Sequence, residues 1–377
     1  MEPCRPTQAF VDLDAIRHNL GIVRQCVGST CRIAAVVKAD GYGHGSVQVA
    51  RAVLAAGAEA LCVAIPCEAV ELREHFPAVQ IIVFNPVFPS EVETVVHYDL
   101  TQTVDDADIL PHLDRAAALY GKEVQVHLKI DTGMARIGLR PGEAPGFARQ
   151  VARCRHVRVR GVYSHFATAD EGDQAFARQQ LAAFQEAVDT LRAHGCEAEI
   201  RHMANSAAIL SLPESHMDMV RPGIMIYGLR PAEHLGAGLR PAMTVMSRIA
   251  KLKMAPAGTA ISYGGTWRCP GPRNIATIPM GYADGYRRGL SNRFYVLVGG
   301  TKAPVVGRVC MDMFMADVSE VAGVRKGDDV IIFGVRGKDH LPAEEMADVL
   351  ETIPYEIVTG ISGRVPRVYG QHRPATM

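Results

Sequence analysis

Eight short apolar runs recur between residues 33 and 220, and each is followed by a turn and a stretch of helical spacing. The runs are Ile33–Val37, Leu61–Ile65, Ile81–Phe84, Leu100–Val104, Val124–Ile130, Val157–Tyr163, Glu199–Met203 and Met217–Val220. The first, within RIAAVV, is aliphatic and without alternation, as a strand buried on both faces should be. The intervening segments, such as VQVARAVLAAG, EAVELREHF and FARQQLAAFQEAVDTLRAHG, repeat apolar residues at helical intervals. A further helix is predicted over Asp14–Val27, ahead of the first run. Eight strands alternating with helices over about 220 residues suit an eight-stranded barrel. The alternative is a doubly wound open sheet, which the lack of a G-x-G-x-x-G after the first strand disfavours.

After about Arg240 the texture changes. VMSRIAKLKMA, NIATIPMGYA, FYVLVGG, APVVGRVCMDMFMADV and DDVIIFG read as strands separated by Gly and Pro, and only Ala343–Thr352 reads as a helix. The expected class is therefore α/β: a TIM-type (β/α)8 barrel over residues 1–240, followed by a mostly β domain over 241–377.

Composition removes several function classes. The 377 residues carry 40 Lys+Arg against 40 Asp+Glu, so no basic excess points to nucleic acid. No window of about 18 uninterrupted apolar residues suggests a membrane span. The first residues, MEPCRP, lack the apolar core of a secretory signal. The nine cysteines are scattered without a C-x-x-C pair. Cys26, Cys31, Cys62 and Cys154 lie in or beside apolar segments, so they read as reduced core residues of a cytoplasmic protein. Their spacing offers no zinc site, and no metal is expected.

The chemistry lies where the runs end, because a β/α barrel builds its active site at the C-terminal ends of its strands. The first run ends in Lys38 and the loop Lys-Ala-Asp-Gly-Tyr-Gly-His-Gly, a tight turn into a helix starting near Ser46. An amine held in a partly desolvated pocket has a lowered pKa and can form a Schiff base. The plain alternative is a surface lysine that merely ends a strand. The fifth run ends in Lys129 through Arg136, the sixth in Ser164-His165, the seventh in Asn205-Ser206 and the eighth in Arg221-Pro222-Gly223-Ile224. Singly, His165 reads as a core histidine, Ser206 or Asn205 as a helix cap, and Arg221 as half of a surface ion pair. Together they place two cations, a histidine, a hydroxyl and backbone N–H groups on the rim that carries Lys38. That is a cradle for a phosphate, and an aldehyde cofactor with a phosphate handle, pyridoxal 5'-phosphate, fits it.

The stretches AVVKADGYGHG, HLKIDTGMARIG, SHFATAD, ANSAA, RPGIMIYG, SYGGTW, GYADGY, CMDM and PYEIVTGISGRVPR resemble, in order and over nearly the whole chain, the signature stretches of the alanine racemase family. The resemblance implies a barrel followed by a β domain, pyridoxal phosphate, alanine as substrate and a homodimer with shared active sites. Lys38 matches the lysine that bonds the cofactor and serves as one base. Tyr263 matches the opposite base, which in the family comes from the partner subunit. His165 and Arg221 match a relay to that tyrosine, and Arg221 also matches the arginine facing the pyridine nitrogen. Tyr42, Ser206, Gly223, Ile224 and Tyr355 match phosphate contacts. Arg136 and Met311 match groups near the substrate carboxylate, Asp312 is assigned to the substrate with them, and Tyr282 matches an entrance residue. Lys129 matches a lysine that is carbamylated in some members. Asp40 stands where many members carry Asn, and Ala135 where Gly is common. Phe314 and Thr359-Gly360 are further departures.

Other readings compete with racemisation. A lyase on this scaffold typically sets an acidic residue, not an arginine, against the pyridine nitrogen. A non-catalytic cofactor carrier would usually end after the barrel. A broad-specificity periplasmic racemase would carry a signal sequence.

Overall fold

The computed structural model describes residues 5–370. Its first strand, β1 (Gln8–Val11), is followed by eight strands that form one parallel sheet. These are β2 (Arg32–Val36), β3 (Ala60–Val63), β4 (Gln80–Val83), β5 (Thr101–Val104), β6 (Val124–Lys129), β7 (Val157–Tyr163), β8 (Ile200–His202) and β9 (Met219–Val220). Each of β2 to β7 pairs with its successor, and β9 returns to pair with β2. The seam between β8 and β9 is stitched by Asp218 N–H to Arg201 C=O (3.2 Å) and Arg221 N–H to Ala204 C=O (3.0 Å). The sheet thus closes into the expected barrel, and the open-sheet alternative is excluded. Apolar spacing does the packing outside it. In the helix Ala175–Ala193 the buried residues Ala177, Leu181, Phe184, Ala187 and Leu191 recur every three or four positions, which lays one stripe on the barrel.

The chain divides into two units, and the division differs from a simple cut at residue 240. The change at Pro241 is there, but the described residues up to Ala15, together with Tyr42–Gly45, belong to the β unit. The reason is strand pairing over long sequence separations. β1 runs antiparallel to β10 (Met243–Arg248) and parallel to a C-terminal strand, Arg367–Tyr369. No local pattern encodes such partners.

The remaining strands of the β unit are β11 (Lys251–Ala255), β12 (Ala260–Ile261), β13 (Trp267–Arg268), β14 (Arg273–Ile278), β15 (Tyr295–Val298), β16 (Thr301–Pro304), β17 (Phe314–Asp317), β18 (Asp329–Arg336), β19 (Asp339–Leu341) and β20 (Arg367–Tyr369). The main sheet runs β16-β15-β18-β10-β1-β20, with β19 on β18; β11-β14-β17 form a second sheet and β12-β13 a hairpin. Among the described residues two α-helices occur here rather than the one expected. Besides Ala343–Val349 there is Pro354–Thr359, opened by a proline at its first position and too short to show a periodic pattern.

Two cysteine expectations need correction. Cys26, in the last turn of its helix, is exposed, and Cys154, in the loop before β7, is half-buried, whereas Cys31 and Cys62 are buried as expected. No helix among the described residues is long and apolar enough to cross a membrane.

Candidate active site

In the barrel unit, Lys38, Lys129, His165, Ser206 and Arg221 all follow or end strands at the same pole. Lys38 enters a left-handed turn. Ala39 (φ 53°, ψ 52°), Asp40 (φ 52°, ψ 49°) and Gly41 (φ 58°, ψ 46°) are consecutive left-handed residues, and Tyr42 (φ 52°) continues them. Such residues cost roughly 1–2 kcal/mol each when they carry a Cβ, so the turn must be held from outside. Two carboxylates hold it. Asp40 Oδ1 accepts the N–H of Ser46 at 2.8 Å, a bond that an asparagine Oδ1 would make equally well. Glu68 Oε1 accepts the N–H of Ala39, next to Lys38, and its other oxygen accepts that of Ala64, both at 2.7 Å. Glu68 therefore ties the Lys38 turn to the end of β3, a role the sequence reading missed. The signal was present: Ile65-Pro66-Cys67-Glu68 carries proline and glutamate at the first and third positions of a helix start.

Arg221 is buried, and its guanidinium is almost fully engaged. Nη1 donates to His202 Nδ1 at 2.9 Å; Nη2 reaches Ser164 C=O (2.8 Å), Met203 C=O (3.0 Å) and His165 Nδ1 (3.4 Å). The surface ion pair considered for this residue is thereby excluded. Because a guanidinium only donates, both imidazoles must accept at Nδ1 and carry their proton on Nε2. His202 Nε2 then donates to His127 Nδ1 at 2.9 Å, which leaves the proton of His127 on its own Nε2. Gly161 on β7 makes room for this ring: a Cβ there would lie 2.8 Å from three atoms of the His127 imidazole. Tyr163 stacks on His202 (centroids 4.8 Å apart, 3° between planes), with Lys129 Nζ 4.5 Å and the Arg221 guanidinium carbon 5.1 Å from its ring centre. His127, His202 and Tyr163 support the site, although the sequence reading gave them no role.

The electrostatics follow from burial beside fixed positive charge. Burial, then Arg221, pushes His202 well below its ordinary value and His127 down to about 3. Burial, then Arg221 and Lys129, does the same to His165. Burial, then Arg221 and Arg136, holds Lys129 well below the usual lysine range. Lys38 is lowered by burial and next by Arg136, against an opposing pull from Glu68. Burial brings Arg221 itself only to about 10, so it stays charged at neutral pH. Four cationic side chains thus act on one rim, and the rim accommodates their charge poorly without an anion.

A pH prediction follows. An unfolded imidazole binds a proton below about 6.5, but buried His127 does so only near 3. Between those values the unfolded state holds more protons, so stability present above pH 6.5 is lost as pH falls. The slope is up to about 1.4 kcal/mol per pH unit for each of His127 and His202. Urea midpoints between pH 7 and pH 5 should drop accordingly, while the two imidazole resonances stay neutral in NMR; early titration of either ring would contradict the buried chain.

Ser206 and Asn205 divide the work that the sequence left open. Asn205 Oδ1 caps the following helix by accepting Ala208 N–H at 3.0 Å. Ser206 Oγ instead accepts Gly223 N–H (2.9 Å) and Met225 N–H (3.4 Å), joining the β8 and β9 loops. Its own hydroxyl proton is left to donate. The N–H of Gly223 is already engaged by Ser206. Ile224 opens the short turn Ile224–Tyr227 beside it. Arg136 is exposed and follows Ala135, whose φ of 54° explains why glycine is common there.

The β unit gathers the rest. Segment 308–312 is the common support. Ser262 Oγ donates to Arg308 C=O at 2.6 Å beside Tyr263, and Tyr282 and Ala283 N–H donate to Cys310 and Met311 C=O, each at 3.0 Å. Tyr263, Tyr282 and Met311 are exposed there, the tyrosine at 71%. Asp312 pairs with Arg364 at 2.8 Å. The Tyr42 and Tyr355 rings lie 6.0 Å apart at 48°. Phe314 is buried and stacked on Tyr286 (4.4 Å, 17°), while Thr359 Oγ1 bonds back to Tyr355 C=O at 2.6 Å. The latter two departures are thus packing and helix-end features.

Comparison with known proteins agrees with this geometry. Residues 11–231 match the family model described as alanine racemase, N-terminal domain, and 242–369 match its C-terminal domain. The chain is 46% identical over 367 residues to the alanine racemase of Halothermothrix orenii, covering 97% of both chains. It is 47% identical to that of Desulforamulus reducens, covering 97% of this chain and 99% of the other. Among solved structures, the alanine racemase of Clostridium difficile superposes with a TM-score of 0.94 at 35% identity, over 98% of this chain and 97% of that one. The Bacillus anthracis enzyme with bound L-Ala-P gives 0.93 at 36%, over 99% and 97%. The chain belongs to the alanine racemase family.

Proposed function

We propose that this chain interconverts L- and D-alanine by moving the α-proton on opposite faces, with Lys38 Nζ serving one face and Tyr263 of the partner subunit the other. The observation that carries the reading is the convergence, at one barrel pole, of a lowered-pKa lysine with a buried, fully directed guanidinium. Racemisation needs two bases, because one rigidly held base would return the proton to the face it came from.

Pyridoxal phosphate is the family's cofactor, and the donor set fits it. The rim has surplus positive charge for a phosphate, a buried hydroxyl with a proton to donate, and an amine whose neutral form is reached nearer neutral pH. Lys38 would bond its aldehyde carbon. In the barrel, the Ser206 hydroxyl and the Gly223-Ile224 turn it braces would hold its phosphate. When bound, the cofactor supplies the electron sink that makes the alanine Cα–H acidic.

The chain's own residues do the rest. Arg221 would face the ring nitrogen and, being a permanent donor, would take no proton there. His165 accepts from Arg221 at Nδ1 and keeps its Nε2 proton, which can stabilise the deprotonated oxygen that Tyr263 needs to act as a base. We assign Arg136 to the alanine carboxylate, the backbone of Met311 and Asp312 likewise to the substrate, and Tyr282 to the entrance. Burial beside Arg221 and Arg136 holds the Lys129 amine well below the usual lysine range, and the neutral amine is the form that adds carbon dioxide; the carbamate would place a negative charge beside Arg136 and Arg221. Labelling with 13C-bicarbonate should give a carbamate resonance that Lys129→Ala lacks. A spectrum without that signal leaves Lys129 a plain amine.

The direct test is the purified holoenzyme with L-alanine, followed by chiral analysis. The mixture should approach equal amounts of both enantiomers, as their equal energies require. Absence of D-alanine overturns the reading.

A further inference from the structure

The backbone of Ser262 lies where side chains are rarely found. With φ 63° and ψ −174° it occupies a region that is essentially glycine's, yet it carries a Cβ and immediately precedes Tyr263. The two residues after Tyr263, Gly264 (φ 73°) and Gly265 (φ 53°), are glycines in left-handed conformation, so only one residue of the loop between β12 and β13 pays a Cβ penalty. Such an outlier persists only where its surroundings over-determine it.

Three contacts do so here. Ser262 Oγ donates to Arg308 C=O at 2.6 Å and lies 3.4 Å from Cys310 Sγ. The facing segment has no side chain at the point of closest approach: a Cβ on Gly307 would come within 2.6 Å of Ile261 C=O and 2.9 Å of Ser262 Cβ. One turn anchors both sides, since Asn292 Oδ1 accepts Gly307 N–H at 2.6 Å and Asn292 Nδ2 donates to Thr266 Oγ1 at 3.1 Å. The Arg308 guanidinium then packs against Gly264, 3.3 Å from where its Cβ would be. Tyr263 itself remains 71% exposed, so its aim is set by this backbone and not by burial of its ring.

We infer that Ser262 is a positioning residue for Tyr263: its strained backbone, locked by the Oγ bond to Arg308, fixes the direction in which the phenol is presented. The inference rests on Tyr263 being the second base. A serine that merely filled a turn would have no reason to hold a glycine's conformation, and a glycine there would present the same tyrosine without a lock.

Two variants separate strain from lock. Ser262→Ala keeps the strain and loses the hydroxyl; Ser262→Gly loses both. In thermal unfolding of the holoenzyme, Ser262→Ala should melt below wild type and Ser262→Gly above Ser262→Ala. Amide hydrogen exchange of residues 263–266 should quicken at least about tenfold in both, as expected of a turn released to open locally. Exchange of the alanine α-proton with deuterated water should slow at least about tenfold for L-alanine in both variants, with D-alanine much less affected, because the Lys38 side is untouched. Unchanged L-alanine exchange in Ser262→Gly, with the loss seen in Tyr263→Phe, overturns the role of Ser262 alone. Unchanged exchange in Tyr263→Phe as well overturns the two-base reading and this inference with it.

Discussion

Lys38→Ala is expected to remove the lysine-bound cofactor's visible absorbance and to lower racemisation at least about 10³-fold in both directions. The size follows from the double duty assigned to this amine. It bonds the cofactor and it moves a proton, and no neighbouring group can replace it: Lys129 is buried against Tyr163. Stability should change little, because Lys38 is only half-buried and no strand bond runs through its side chain. The variant therefore separates chemistry from folding. A far-ultraviolet spectrum and melting curve like wild type, with the visible band gone, is the expected combination. A Lys38→Ala protein that still racemises alanine would remove Lys38 from the mechanism.

Tyr263→Phe is expected to split the two directions. The cofactor should bind normally, since the barrel rim is untouched. Proton removal from L-alanine should fall by about 10²–10⁴-fold, the range for a positioned general base, while D-alanine continues to exchange its α-proton through Lys38. Equal losses for both enantiomers would show that the faces are wrongly assigned. The shared-site proposal adds a second readout. In a mixed dimer of Lys38→Ala with Tyr263→Phe, one site would contain both intact bases and the other neither. About half the wild-type activity per mixed dimer should return. No recovery would place both bases in one subunit.

The fold class, family and reaction were legible in the sequence because they rest on local patterns and ordered motifs. Eight apolar runs with helical spacers imply parallel strands, and these close into a barrel whose observed strands lie within a residue or two of the expected ones. What stayed hidden depends on partners far apart in the chain. β1 belongs with β10 and β20, over two hundred residues away, and nothing in Gln8–Val11 says so. Pro354–Thr359 was missed because one and a half turns give no periodicity.

The candidate site divides in the same way. An amine at a strand end, a histidine and an arginine at neighbouring strand ends, and a tyrosine beside two glycines are properties of the chain as written. The sequence also allowed Lys38 to stand on a tight turn, since glycines at 41, 43 and 45 take positive φ without a Cβ clash. The tertiary structure decided what those groups can do. It fixed the proton on His202 and His165 by setting both against a guanidinium that only donates. It chose Asn205 as the cap and released Ser206 to join two loops. It enlisted Glu68 to hold the turn of Lys38, and it lowered that lysine's pKa by burial beside Arg136. Proton affinity and hydrogen-bond direction depend on distance and solvent exclusion, which close only when strands remote in sequence meet; residue order supplies the groups but not their environment.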